Sequence, residues 1–145
     1  MHLNPRRTQI SQFLVFNNSG EPFGSNQKLR QAIALAINPA QVEKVVSKGF
    51  GEVTPTWVPP TSWEYTADLP VPAYDPELAA DLYEESGVKG PFTLSIIQRD
   101  PDTQISQLVQ APLAQARIPL TLAALERETW LDNTRARHHA RAMLR

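Results

Sequence analysis

Three histidines and two close pairs of acids are the side chains of this 145-residue sequence with the chemistry for metal binding or proton transfer. Their spacing argues against both uses. His2 stands near the amino terminus, and His138 and His139 are adjacent in a basic tail. Neighbours in a helix point about 100 degrees apart, so the two could not face one metal ion from there. Exposed tail residues are the expectation. Glu84 and Glu85 read as a solvated helix face, and Asp100 and Asp102 sit where a helix amino terminus favours negative charge. Neither pair has the neighbour that acid–base catalysis would need. The sequence contains no Gly-x-Ser-x-Gly elbow, no Walker loop and no Gly-x-Gly-x-x-Gly turn. It also has 0 cysteines, which excludes disulfides, zinc–thiolate sites and a thiol nucleophile. The residues therefore predict a non-enzymatic protein that needs no metal and no cofactor.

Side chains suited to binding are easier to find. In a parallel sheet, ligands lie in the crevice beyond the carboxyl ends of the strands. Gln98, Arg99 and Asp100 would occupy that edge for one strand, and Asn17 and Asn18 for an earlier one. Trp57, Trp63 and Tyr65 offer flat apolar area to a ligand or to a partner lobe. The competing reading makes the polar residues helix caps and the rings staples for a loop. The stretch from Thr134 to Arg145 carries four arginines and no acid. It lacks the interleaved aromatics of a nucleic-acid arm, and the whole chain has a net charge of −1, so no nucleic-acid partner is expected. A frayed, helix-compatible basic tail is the simpler prediction.

These residues need elements to hold them. Gln12–Phe16 is a short apolar run closed by Asn17-Asn18-Ser19-Gly20, the pattern of a strand buried on both faces. Leu29, Ala32, Ile33, Ala36 and Ile37 make one stripe of a helix from about Asn26 to Ile37. Asn38-Pro39 starts a second helix with Val42, Val45 and Val46 inside, and Gly49 as its carboxyl cap. The chain has 13 prolines, and many of them fall in a proline–aromatic loop between Thr54 and Pro76. Asp75-Pro76 opens a helix with Leu78, Ala79 and Leu82 on its apolar face, ended by Gly87. Phe92–Ile97 is a strand, and a helix using Ile105, Leu108, Val109 and Leu113 follows, with Pro112 predicted to kink it. Ile118–Leu125 is a further strand. Alternating strands and helices predict an α/β fold: a mostly parallel sheet with helices on both faces. No apolar run approaches the roughly 20 residues that span a bilayer, and Met1–Arg7 lacks the apolar centre of a signal peptide.

The order of these motifs resembles family 5 solute-binding proteins, the peptide, dipeptide and nickel receptors of ABC importers. Phe16-Asn17-Asn18, Pro22-Phe23, Leu29-Arg30-Gln31-Ala32 and Ala36-Ile37-Asn38 match the family's opening block. Pro59-Pro60 with Trp63 and Tyr65, then Tyr74 to Ala79 with Leu82 and Gly87, continue it, and Thr129-Trp130-Leu131 closes it. Asn38 replaces the family's usual aspartate, a change that preserves capping. The resemblance covers residues 12–132, leaving 1–11 as an amino-terminal tail and 133–145 as a basic tail. It implies one lobe of a two-lobed periplasmic-binding-protein type II fold, whose first lobe and ligand-holding Gly-Trp…Asp strand lie outside this chain. It also implies an extracytoplasmic receptor that holds a peptide or other small solute between closing lobes and serves the membrane subunits of an ABC importer. Two rival readings are a remnant lobe that dimerises or docks another protein through its exposed former interface, and a small enzyme on the same scaffold.

Overall fold

The computed structural model describes residues 12–48, 50–56, 58, 60–66, 68–71 and 73–135, with the backbone of 141–144. Gly49, Trp57 and the three histidines lie outside the described residues. The elements run β1 (Leu14–Phe16), α1 (Gln27–Ala36), α2 (Pro39–Val46), α3 (Pro76–Glu85), β2 (Phe92–Ile97), α4 (Asp102–Gln115), β3 (Leu120–Leu125), α5 (Arg127–Arg135) and β4 (Arg141–Leu144).

Capping chemistry starts the first three helices. The side chain of Asn26 accepts from Leu29 N at 3.0 Å, that of Asn38 from Gln41 N at 3.2 Å, and that of Asp75 from Leu78 N at 3.0 Å. Each satisfies one of the backbone donors a helix start leaves without a partner. In α2 and α3 a proline follows at the first helical position, where no donor is lost. Gly87, at φ +67°, ends α3 in the left-handed region as a glycine can without strain.

Burial follows the predicted stripe in α1, where Leu29, Ala32, Ile33 and Ala36 are all buried. It departs from it in the next two helices. Val42 and Val46 are only half-buried and Val45 is exposed, while in α3 Ala79 is buried and Leu78 faces solvent. Leu78 is one residue, and so about 100 degrees, away from Ala79, which is enough to carry it off the packed face. The core gathers Phe23, Leu29, Leu94, Ile96, Ile105, Leu113 and Ile118, each fully buried. Rings brace one end of it: Phe23 sits 5.3 Å from Phe16 and 5.5 Å from Phe92, and Tyr83 meets Phe92 edge-on at 6.1 Å. Each buried ring of this size contributes about 2–3 kcal/mol of transfer free energy.

The sheet has the order β1-β4-β2-β3. β2 runs parallel to both β3 and β4, and β1 runs antiparallel to β4. The mostly parallel α/β sheet is therefore present, with an antiparallel strand at one edge. Two expectations need correction. The run at Gln12–Phe16 forms a three-residue edge strand that is half-buried, not covered on both faces. The basic tail is not one frayed helix: α5 stops at Arg135, and Arg141–Leu144 forms a strand seated between β1 and β2.

Helix α4 packs on β2 and β3, and α5 packs on β2. The chain moves from β2 to β3 through α4, then back past β2 to β4 through α5. Right-handed crossovers that travel in opposite directions put their helices on opposite faces of the sheet. Buried Trp130 tethers α5 from its side, its Nε1 donating to Ser95 O at 3.3 Å.

Candidate ligand-binding site

The reversal of direction between β2 and β3 marks the place where an open parallel sheet parts at its carboxyl edge. Gln98 leaves β2 there, and its N–H donates to Leu125 O at 2.8 Å, extending the ladder one step past the register pair Ile97–Leu125. The backbone then turns sharply, with Arg99 N donating to Ile97 O at 2.8 Å and Thr103 N to Arg99 O at 3.1 Å. Gln98, Arg99 and Asp100 are all exposed at this edge.

Arg99 is held from below. Its Nε donates to Asp102 Oδ2 at 2.8 Å, across a side chain that is 57% exposed and a carboxylate that is only 3% exposed. Asp102 opens α4, whose capping position is Pro101 and carries no side-chain cap. A carboxylate in the first turn complements the partial positive charge of the helix start. Asp102 Oδ1 is buried without a hydrogen-bond partner among the described residues. The guanidinium consequently uses Nε alone on Asp102, and Nη1 and Nη2 make no bond to any described residue. Sequence reasoning named Asp100 for this edge and took Asp102 as a helix-start residue. The three-residue spacing from Arg99 to Asp102, which favours an ion pair at a helix start, was the available signal.

The other expected residues fall elsewhere. Because β1 is antiparallel to β4, and Phe16 is level with Ala142 and through it with Leu94, Asn17 and Asn18 emerge at the amino end of β2. They sit at the opposite edge from Arg99. There Asn17 Oδ1 accepts from Ser19 N at 3.0 Å, and a Cβ built on Gly24 would come within 2.8 Å of Asn18 O, so this turn requires a glycine. Arg30 secures the same turn by donating from Nη1 to Phe23 O and, at 3.2 Å, to Gly24 O. Trp63 is 91% exposed, and among the described residues no hydrogen bond or ring contact joins it to the Gln98–Asp100 edge. It does not staple its loop down. Trp57 lies outside the described residues.

Two open depressions of about 520 and 540 Å³ lie away from this edge, one lined by α3 and Arg117, the other by Ser25–Lys28 and the end of α3. Neither depression is lined by Gln98, Arg99 or Asp100. Among the described residues no group of three or more His, Cys, Asp or Glu side chains could hold a metal ion, and no helix is long and apolar enough to cross a membrane.

The family model for bacterial extracellular solute-binding proteins, family 5 Middle, matches residues 4–144. The chain belongs to this family. The match runs past both ends of the 12–132 stretch expected from motifs and takes in strand β4. The family 5 chain is 27% identical over 139 residues to the dipeptide-binding protein of Escherichia coli strain K12, a stretch that is 91% of this chain and 26% of that protein. Among solved structures, the dipeptide-binding protein of Pseudoalteromonas sp. SM9913 in complex with Met-Leu superposes with a TM-score of 0.78 at 26% identity, over 92% of this chain and 27% of that one. The periplasmic binding protein DppA of Helicobacter pylori, in complex with the peptide STSA, gives 0.77 at 28% identity, over 92% and 26%. The fold is that of type II periplasmic binding proteins. The family 5 chain spans about a quarter of the length of the relatives it matches.

Proposed function

We propose that the chain is part of an extracytoplasmic receptor that captures short peptides, without catalysis, and delivers them to the membrane subunits of an ABC importer. Membership in a solute-binding family and relatives named for dipeptides support the class of ligand. The observation that carries the reading is Arg99. A guanidinium fixed at the parting of β2 and β3, with two nitrogens unengaged among the described residues, suits the carboxylate end of a peptide. The chain supplies one jaw of a clamp that closes around the peptide, so alone it forfeits the contacts of the other jaw and the exclusion of water.

The test is a nuclear magnetic resonance titration of the isolated chain with Met-Leu. The expected result is weak binding, with a dissociation constant of about 1 mM or higher, and shifts concentrated at Gln98–Thr103 and Glu126. Silence at those amides throughout the titration would sink the peptide reading. Micromolar affinity would overturn the half-clamp. A second reading, a lobe that pairs with another copy or another protein, is favoured by Phe50 and Trp63, which are 83% and 91% exposed. Light scattering that shows a monomer at all concentrations would dismiss self-pairing.

A further inference from the structure

We propose that Asp102 is a positioning residue, whose buried carboxylate holds Arg99 so that the Nη1–Nη2 edge of the guanidinium faces the crevice and can grip a carboxylate end-on. This rests on the reading of Arg99 given above and adds to it a second residue.

The geometry supports the assignment in three steps. An exposed arginine on a turn ordinarily samples many rotamers, and an ion pair between two exposed side chains restrains it little. Here the partner is not exposed. Asp102 is 2% exposed, and its only hydrogen-bond partner among the described residues is Arg99 Nε, since Oδ1 has none. A buried carboxylate left without its cation is strongly disfavoured, so Arg99 is tied to one place by the cost its departure would impose on Asp102. The choice of nitrogen matters too. An end-on pair with Asp102 would occupy the Nη1–Nη2 edge; bonding through Nε leaves that edge intact, and it matches the two oxygens of a carboxylate. The backbone bonds from Arg99 N to Ile97 O and from Thr103 N to Arg99 O fix the turn beneath both side chains.

The experiment follows arginine Nε–Hε resonances in the wild-type chain, in Asp102→Asn and in Arg99→Ala, each titrated with Met-Leu and with its carboxyl-terminal amide. In the wild type, the Arg99 Hε should exchange with water at least about tenfold more slowly than the Hε of exposed Arg117 and Arg127, as a buried charged acceptor requires. If it exchanges as fast as theirs, the proposal fails without need of any variant. Asp102→Asn should speed that exchange and weaken Met-Leu binding about five- to tenfold while leaving the amide unchanged. Equal loss for acid and amide would mean a merely structural role, and no loss would mean no role; either overturns the proposal. If Arg99→Ala weakens Met-Leu but Asp102→Asn does not, only the positioning role falls. If Arg99→Ala binds Met-Leu as the wild type does, the reading of the site falls with it.

Discussion

Two asparagines of this chain do the same local job with different obligations. Among the described residues Asn38 uses only its carbonyl oxygen, accepting from Gln41 N. Asn26 uses both ends of its amide: Oδ1 caps α1, and Nδ2 donates to Ser86 O at 2.9 Å, joining the start of α1 to the end of α3. Replacing Asn38 with aspartate should therefore change stability by less than about 0.5 kcal/mol, since both residues cap equally well. Replacing Asn26 with aspartate keeps the cap but sets two acceptors against each other, and should cost about 1–3 kcal/mol. Urea unfolding of the two variants measures the contrast, and equal effects would refute it. Arg99 and Asp102 obey the same logic. An atom's existing bond decides what the rest of its side chain is free to do.

At the scale of elements, β4 is the decisive strand. Ala142 is paired with Phe16 on one side and Leu94 on the other, so its backbone stands in the middle of the sheet. Ala142→Pro should remove a ladder hydrogen bond and lower stability by about 3 kcal/mol or more, seen as a fall in the thermal midpoint by circular dichroism. An unchanged midpoint would contradict the placement of this strand. β4 was also the element least legible in the sequence. Arg141–Leu144 has no β-branched residue, and its neighbours, arginine, alanine and histidine, favour a helical reading; its place depends on partners far away in the chain, which local periodicity cannot register. By contrast β2, with apolar residues alternating through Phe92, Leu94 and Ile96, and the three capped helices announced themselves through short-range rules. The candidate site divided in the same way. Gln98–Asp100 followed from the end of a readable strand, whereas Asn17 and Asn18 were misplaced because one antiparallel pairing inverts the edge to which a strand points. Asp102 reads from sequence only as a helix-start acid, and its pairing with Arg99 depends on a turn that local patterns leave open.

At the scale of the molecule, one core carries the fold while a long loop carries most of the large exposed apolar side chains described. Phe50, Trp63, Leu69, Val71 and Tyr74 all face solvent between α2 and α3. Soluble monomers seldom leave large rings so open without a partner. Trp63→Ser should therefore leave unfolding within about 0.5 kcal/mol of the parent, because an exposed side chain contributes little to the core, while reducing any concentration-dependent association. Equilibrium unfolding and light scattering on the same samples separate the two effects, and a large loss of stability would show the ring to be packed. A last consequence concerns how the chain would be dismantled. β1 is joined to the sheet through β4, so within the sheet the first and last described strands depend on one ladder. A protease that nibbles away residues 141–144 should also free Leu14–Phe16, and limited digestion should trim both extremities together while the body from α1 to α5 persists.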